Sequence, residues 1–118
     1  MTQNAIRLET RAHLLQGLAE PSRLAILEAL RRGPACVSDL VDQTGLTQPN
    51  VSNHLACLRD CGLVTSRPQG RFVYYALADP DVRILLEQID RVLRRAGPQI
   101  DACPRYQPAA AHAAQAKR

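Results

Sequence analysis

A mainly α fold carrying one β-hairpin is predicted by three features of this sequence. Apolar residues recur at helical spacing in five stretches. β-Prone residues flank a Pro68-Gln69-Gly70 turn between the fourth and fifth stretches. Gly-Pro pairs and single glycines separate the stretches, so the expected order is α-α-α-α-β-β-α.

A first helix is expected over residues 5–17, with Ala5, Ile6, Leu8, Ala12 and Leu15 apolar and Leu18 just beyond. Pro21 opens a second helix, where its fixed φ suits the first turn, and Ser22 to Arg32 continue it with Leu24, Ile26, Leu27 and Leu30 inward. Gly33-Pro34 stops it. A short third helix covers Val37 to Gln43, with Leu40 and Val41 inward, and Thr44-Gly45-Leu46 makes the turn. Thr47 suits the N-cap of a fourth helix, Gln48 to Asp60, whose buried stripe is Val51, Leu55 and Leu58.

Gly62 ends that helix, and Leu63–Arg67 and Arg71–Leu77 then read as paired strands. Pro80 begins a fifth helix reaching Ala96, where Gly97-Pro98 is expected to end it. Its stripe of Val82, Leu85, Leu86, Ile89, Val92 and Leu93 exceeds what one small chain can cover, so dimerisation through the terminal helices is expected. Residues 1–98 read as one domain, and 99–118, rich in Ala and Pro, as a flexible tail.

With aromatics at 3% of the 118 residues, the core must be aliphatic. The net charge is +4 and fourteen of the fifteen basic residues are Arg, a bias that fits a nucleic-acid partner. No apolar run approaches the ~18 residues of a membrane span, and Arg7, Glu9 and Arg11 break any signal-peptide pattern. The expected location is the cytosol, where thiols stay reduced, so four cysteines suggest metal or redox chemistry before disulfides. A thiol enzyme is a poor reading because no His–Asp set or Gly-rich cofactor loop accompanies them.

Helix, short helix, turn, helix and hairpin is a winged helix-turn-helix order, whose recognition helix enters the DNA major groove. On the fourth helix, Gln48, Pro49, Ser52 and Asn53 face away from the buried stripe. Gln and Asn can hydrogen-bond adenine bidentately, and Ser can reach base or phosphate. Arg67 and Arg71 flank the hairpin turn, where a wing would meet phosphate or the minor groove. Cys57 and Cys61 lie on that same helix at i and i+4, a spacing of ~5–6 Å between Cβ atoms. Two thiolates so placed can chelate one soft cation.

Three ordered segments resemble the ArsR/SmtB metal-sensing repressors: Leu18-Ala19-Glu20-Pro21-Ser22-Arg23-Leu24-Ala25-Ile26-Leu27, Thr47 to Leu55, and Gly62-Leu63-Val64 with Gly70 to Leu77. The resemblance covers residues 14–96. It implies a homodimeric repressor that binds operator DNA in its apo form and lets go when an inducer binds. The Cys-x-Cys cluster of arsenic sensors is incomplete here, because Cys36-Val37-Ser38 offers one thiol. The last-helix histidines of zinc sensors are missing from residues 80–96.

What remains resembles the cadmium- and lead-sensing branch, in which two recognition-helix cysteines join one from the C-terminal tail. Carried over, that implies Cys57, Cys61 and Cys103 as ligands for Cd²⁺ or Pb²⁺, with Zn²⁺ also open. Three thiolates favour soft cations over Mg²⁺ or Ca²⁺. Cys36 reads as a small buried residue, His54 as a packing or hydrogen-bonding residue ahead of a fourth ligand, and His112 as idle. The competing expectation is a thiol redox switch, which would need a bridge to Cys103 because an i, i+4 disulfide within a helix is geometrically awkward.

Overall fold

Residues 6–105 are described by a computed structural model. The elements are α1 (Leu8–Ala19), α2 (Pro21–Leu30), α3 (Val37–Thr44), α4 (Gln48–Asp60), β1 (Val64–Gln69), β2 (Phe72–Leu77) and α5 (Pro80–Ala102). The expected order is present in full. Among the described residues no helix is long and apolar enough to cross a membrane. They fall into two compact units, one ending at Arg83 and one beginning at Ile84.

The helix boundaries of the first unit follow from local chemistry. The Glu20 carboxylate caps α2 by accepting from the Arg23 backbone N–H at 2.8 Å, with Pro21 in the first turn. Thr47 caps α4 in the same way, its Oγ1 accepting from the Asn50 N–H at 3.3 Å. Gly45, at φ 77°, closes α3 by donating to the Val41 carbonyl at 2.9 Å. Cys36 is buried at the start of α3, as expected for a small core residue, and its N–H donates to Asp39.

The core of this unit is aliphatic. Ile26, Leu27 and Leu30 of α2, Leu40 of α3, Val51, Leu55 and Leu58 of α4 and Val64 of β1 are all essentially inaccessible. Burying each side chain contributes roughly 1.5–3 kcal/mol, which fixes α4 against α2 and α3 with one face left outward. α1 contributes only Leu18 to this core, while Leu8, Leu14 and Leu15 stay exposed.

The hairpin differs from the expected one in its turn. β1 runs on to Gln69, which pairs with Phe72, so the turn is the two residues Gly70-Arg71. Gly70, at φ 64°, takes the positive φ that a two-residue hairpin turn needs at its first position. Pro68 therefore lies inside β1, opposite Val73. A proline fits there because β1 has a neighbour on one side only within a two-stranded sheet. Ala35, in the loop before α3, bridges to Tyr75 of β2 and ties the hairpin to the helices.

In the second unit α5 does not stop at Ala96. It continues through Gly97-Pro98 to Ala102, so the expected helix end is corrected. Pro98 removes one i→i−4 bond, but the good helix formers Arg94, Arg95 and Ala96 before it and Gln99 after it carry the helix across. Cys103 follows directly, its N–H donating to the Ile100 carbonyl at 3.1 Å. Within this unit Leu85, Ile89, Val92 and Leu93 line a shallow apolar hollow of about 270 Å³. The remainder of the expected tail, from residue 106 on, His112 included, lies outside the described residues.

Candidate functional site

The outward face of α4 begins at its capped N-terminus. Gln48, Pro49, Ser52 and Asn53 are all exposed, while Val51 and Leu55, between and below them, are wholly buried. The helix thus offers polar side chains and the positive end of its dipole to one surface. The hairpin extends that surface. Arg71 and Gln48 line one hollow of about 440 Å³, together with Phe72, Val73 and Tyr75 of β2 and residues at the start and middle of α3 such as Ser38 and Asp42. Arg67 is exposed on β1, across from Tyr74. Five exposed side chains that carry hydrogen-bonding groups, Gln48, Ser52, Asn53, Arg67 and Arg71, therefore rise from two elements, α4 and the hairpin.

At the opposite end of α4 stand the thiols. The Cys61 N–H donates to the Cys57 carbonyl at 3.0 Å, so both residues belong to one continuous helical turn, with Cys61 as its C-cap. Both are exposed as residues and both are free thiols. The Cys61 thiol is nevertheless pushed up in pKa, first by the water that neighbouring protein strips from it. The nearby Cys57, by charge and by hydrogen bond, and Asp60 add to the rise, and Arg23 opposes it. A divalent cation beside Cys61 would oppose that rise, since its charge favours the thiolate.

The pair fits half of a soft-metal site. Among the described residues no three His, Cys, Asp or Glu side chains are grouped to hold a metal ion. Cys103 is half-buried and belongs to the second unit.

His54 faces elsewhere: its Nε2 lies 3.9 Å from the Glu20 carboxylate, the group that also caps α2. The ring links α4 to the start of α2, in keeping with the packing role.

Sequence reasoning missed the far wall of the thiol site. Thr10, His13, Leu14 and Gly17 of α1, with Arg23 of α2, share a cleft of about 520 Å³ with Cys57, Leu58, Cys61 and Leu63. The Arg23 side chain holds that wall by donating Nε–H to the Gly17 carbonyl at 2.9 Å. Leu14, an apolar residue outside the buried stripe of a polar helix, was the available signal, but it does not say which element it faces.

With this geometry in view, the comparisons are direct. Residues 20–66 match the family model described as bacterial regulatory protein, arsR family. The chain is 46% identical over 82 residues to the HTH-type transcriptional regulator CmtR of Mycobacterium bovis, covering 70% of each chain. It is 35% identical over 97 residues to a probable mercury resistance operon repressor of Streptomyces lividans, covering 82% of this chain and 78% of that one. Its structure is similar to the solution structure of a homodimeric winged helix-turn-helix DNA-binding domain from Mycobacterium bovis. The TM-score there is 0.61 at 30% identity, over 79% of this chain and 94% of that one.

The fold and the site define a winged helix-turn-helix transcriptional regulator, whose work is done on DNA rather than by catalysis. The chain belongs to the arsR family of bacterial regulatory proteins.

Proposed function

We propose that this chain is a cytoplasmic, homodimeric repressor that binds operator DNA in the apo form and releases it when a soft divalent ion is captured by cysteine thiolates. The observation that carries this reading is the placement of Cys57 in α4 and of Cys61 at its C-cap, on the helix that also presents Gln48, Ser52 and Asn53. Any force on the thiols acts on the reading head itself, because α4 is one rigid element of 13 residues.

Dimerisation is supported by apolar surface on both terminal helices: Leu8, Leu14 and Leu15 on α1, and Ile84, Val92 and Leu93 on α5. A two-fold dimer would set the two α4 helices about one DNA turn apart, ~34 Å. Gln48, Pro49, Ser52 and Asn53 would meet base edges, and Arg67 and Arg71 the backbone beside them.

Cys57 and Cys61, with Cys103 as third donor, would hold the ion, Cd²⁺ or Pb²⁺ ahead of Zn²⁺; their thiolates are soft ligands. A bound cation supplies a cross-link between α4 and the segment after α5. Residues 1–98 would then act as the DNA-binding and dimerisation domain, and 99–118 as the ligand-bearing segment. Release needs only that the linked state fit the groove less well, and a coupling of ~1–3 kcal/mol per site is typical.

The alternative is a thiol redox switch bridging Cys57 or Cys61 to Cys103; release of operator DNA by peroxide without metal, reversed by reductant, would favour it.

The test is a titration of Cd²⁺ and Pb²⁺ against operator binding, with the operator selected from a random-sequence pool. Loss of DNA affinity on saturation, absent in Cys57→Ser and Cys61→Ser, is expected. Unchanged affinity at saturating metal rejects the reading.

A further inference from the structure

We propose that Phe72, at the tip of the hairpin, is an apolar wedge that enters the minor groove beside the recognition site, parts one base step and bends the operator. This wedge is independent of the metal reading and rests on α4 and the hairpin sharing one DNA-facing surface.

Phe72 is the chain's one phenylalanine, and it lies outside the core. It forms the last rung of the hairpin, paired with Gln69 next to the Gly70-Arg71 turn, and is 49% exposed. Every residue from Arg67 to Val73 is exposed, so the tip takes no part in the core. The other large apolar side chains left exposed among the described residues fall between Ile6 and Leu15 or between Ile84 and Ile100, on or beside α1 and α5. Those suit the contact between subunits. Phe72 and its neighbour Val73 are on the hairpin instead and need a different partner.

Charge says which partner. Arg67 and Arg71 flank the tip, and no Asp or Glu lies between Cys61 and Ala78. An apolar protein surface would have to strip water from both guanidinium groups without replacing it. DNA offers phosphates to the arginines and stacked bases to the ring.

Position agrees. Gln48, at the capped end of α4, lines the same hollow as Arg71 and Phe72, which makes the tip continuous with the outward face of α4. Val37, Val41 and Asp42 of α3 form the other side of that hollow. The Asp42 carboxylate would repel a phosphate seated inside, so the contact belongs to the tip and not to the hollow.

The tip is also stiff. Strand pairing runs up to Phe72, Gly70 closes the turn at φ 64°, and the Ala35–Tyr75 bridge holds the strand from below. A wedge already held in place loses little freedom on insertion. Phenylalanines that enter the minor groove unstack a step and kink the duplex by about 20–90°. Pyrimidine–purine steps such as TA yield most easily, so Phe72 would select sequence at a position where it makes no hydrogen bond.

The test uses the full-length, metal-free protein and an operator selected from a random-sequence pool. Energy transfer between labelled DNA ends reads the bend, and 2-aminopurine placed in each pyrimidine–purine step in turn reads unstacking. The wild type is expected to bend the operator by at least about 20° and to brighten one 2-aminopurine position per half-site. Phe72→Ala should lose most of the bend and of that signal, with affinity about tenfold lower. Phe72→Leu, still apolar, should keep part of both. Replacing the bright step by a stiff AA step should weaken wild-type binding and leave Phe72→Ala binding unchanged. An equal bend from wild type and Phe72→Ala, or a loss of affinity that is the same on every sequence, makes the ring a plain backbone contact and overturns the proposal. A halved mass for Phe72→Ala in light scattering assigns the ring to the subunit contact and overturns it too. In either event wild-type operator binding stands. A wild type that binds none of the pool removes the DNA-facing surface itself, and the wedge with it.

Discussion

Ala35 and Tyr75 exchange both of their backbone hydrogen bonds, the Ala35 N–H donating at 2.9 Å and the Tyr75 N–H at 2.8 Å. The residues are forty positions apart. Their pairing makes the loop before α3 a short third rail for the hairpin and sets where Arg71 stands relative to α4.

Ala35→Pro removes one of these donors and leaves the Tyr75 carbonyl without its partner. The expected loss is ~1–3 kcal/mol of stability. A fall in the urea midpoint checks it, together with weaker DNA binding as the wing loosens. An unchanged midpoint would mean the bridge adds nothing.

Arg71→Ala and Asn53→Ala should weaken operator binding in different ways. Loss of a phosphate contact lowers affinity for all sequences and reduces the salt slope by about 1. Loss of a base contact costs ~1–3 kcal/mol on the selected operator and little elsewhere. Binding isotherms at several salt concentrations separate the two.

Leu55→Ala, at a wholly buried position of α4, should cost ~2–5 kcal/mol by cavity formation. Calorimetric melting reads this directly. A loss well under 1 kcal/mol would show that α4 is not held by its stripe.

Leu93→Glu places a charge on the apolar hollow of α5, where Leu93 is 42% exposed. Light scattering is expected to show half the wild-type mass, with helix content kept. A dimer that persists at low micromolar concentration would put the subunit contact on another surface.

Cys103→Ser tests the third donor. Cd²⁺ should bind more weakly and its sulfur-to-metal absorption should fall by about one third, because one of three thiolates is gone. Operator release should lose its metal dependence. An unaltered spectrum would assign the third ligand to another residue.

Much of α4 was legible without a structure. Thr47, Pro49, the Val51-Leu55-Leu58 stripe and Gly62 delimit it from inside its own sequence, and Gln48–Asp60 is what forms. The helical register alone also puts Cys57 and Cys61 on one face. The hairpin was equally visible, but its turn was displaced because strand pairing extended past Pro68, a residue that usually marks a break.

Capping, periodicity and turn chemistry act over a few residues, so the sequence by itself determined the order of the elements, the outward face of α4 and the adjacency of its thiols. Contacts between distant segments depend on how whole elements dock, and no local pattern encodes them. Only the tertiary structure decided that α1 walls the thiol cleft, that His54 turns to Glu20 and that Tyr75 clasps Ala35. Those three pairings are set by burial of the shared core, which rewards the assembled arrangement and no single segment of it.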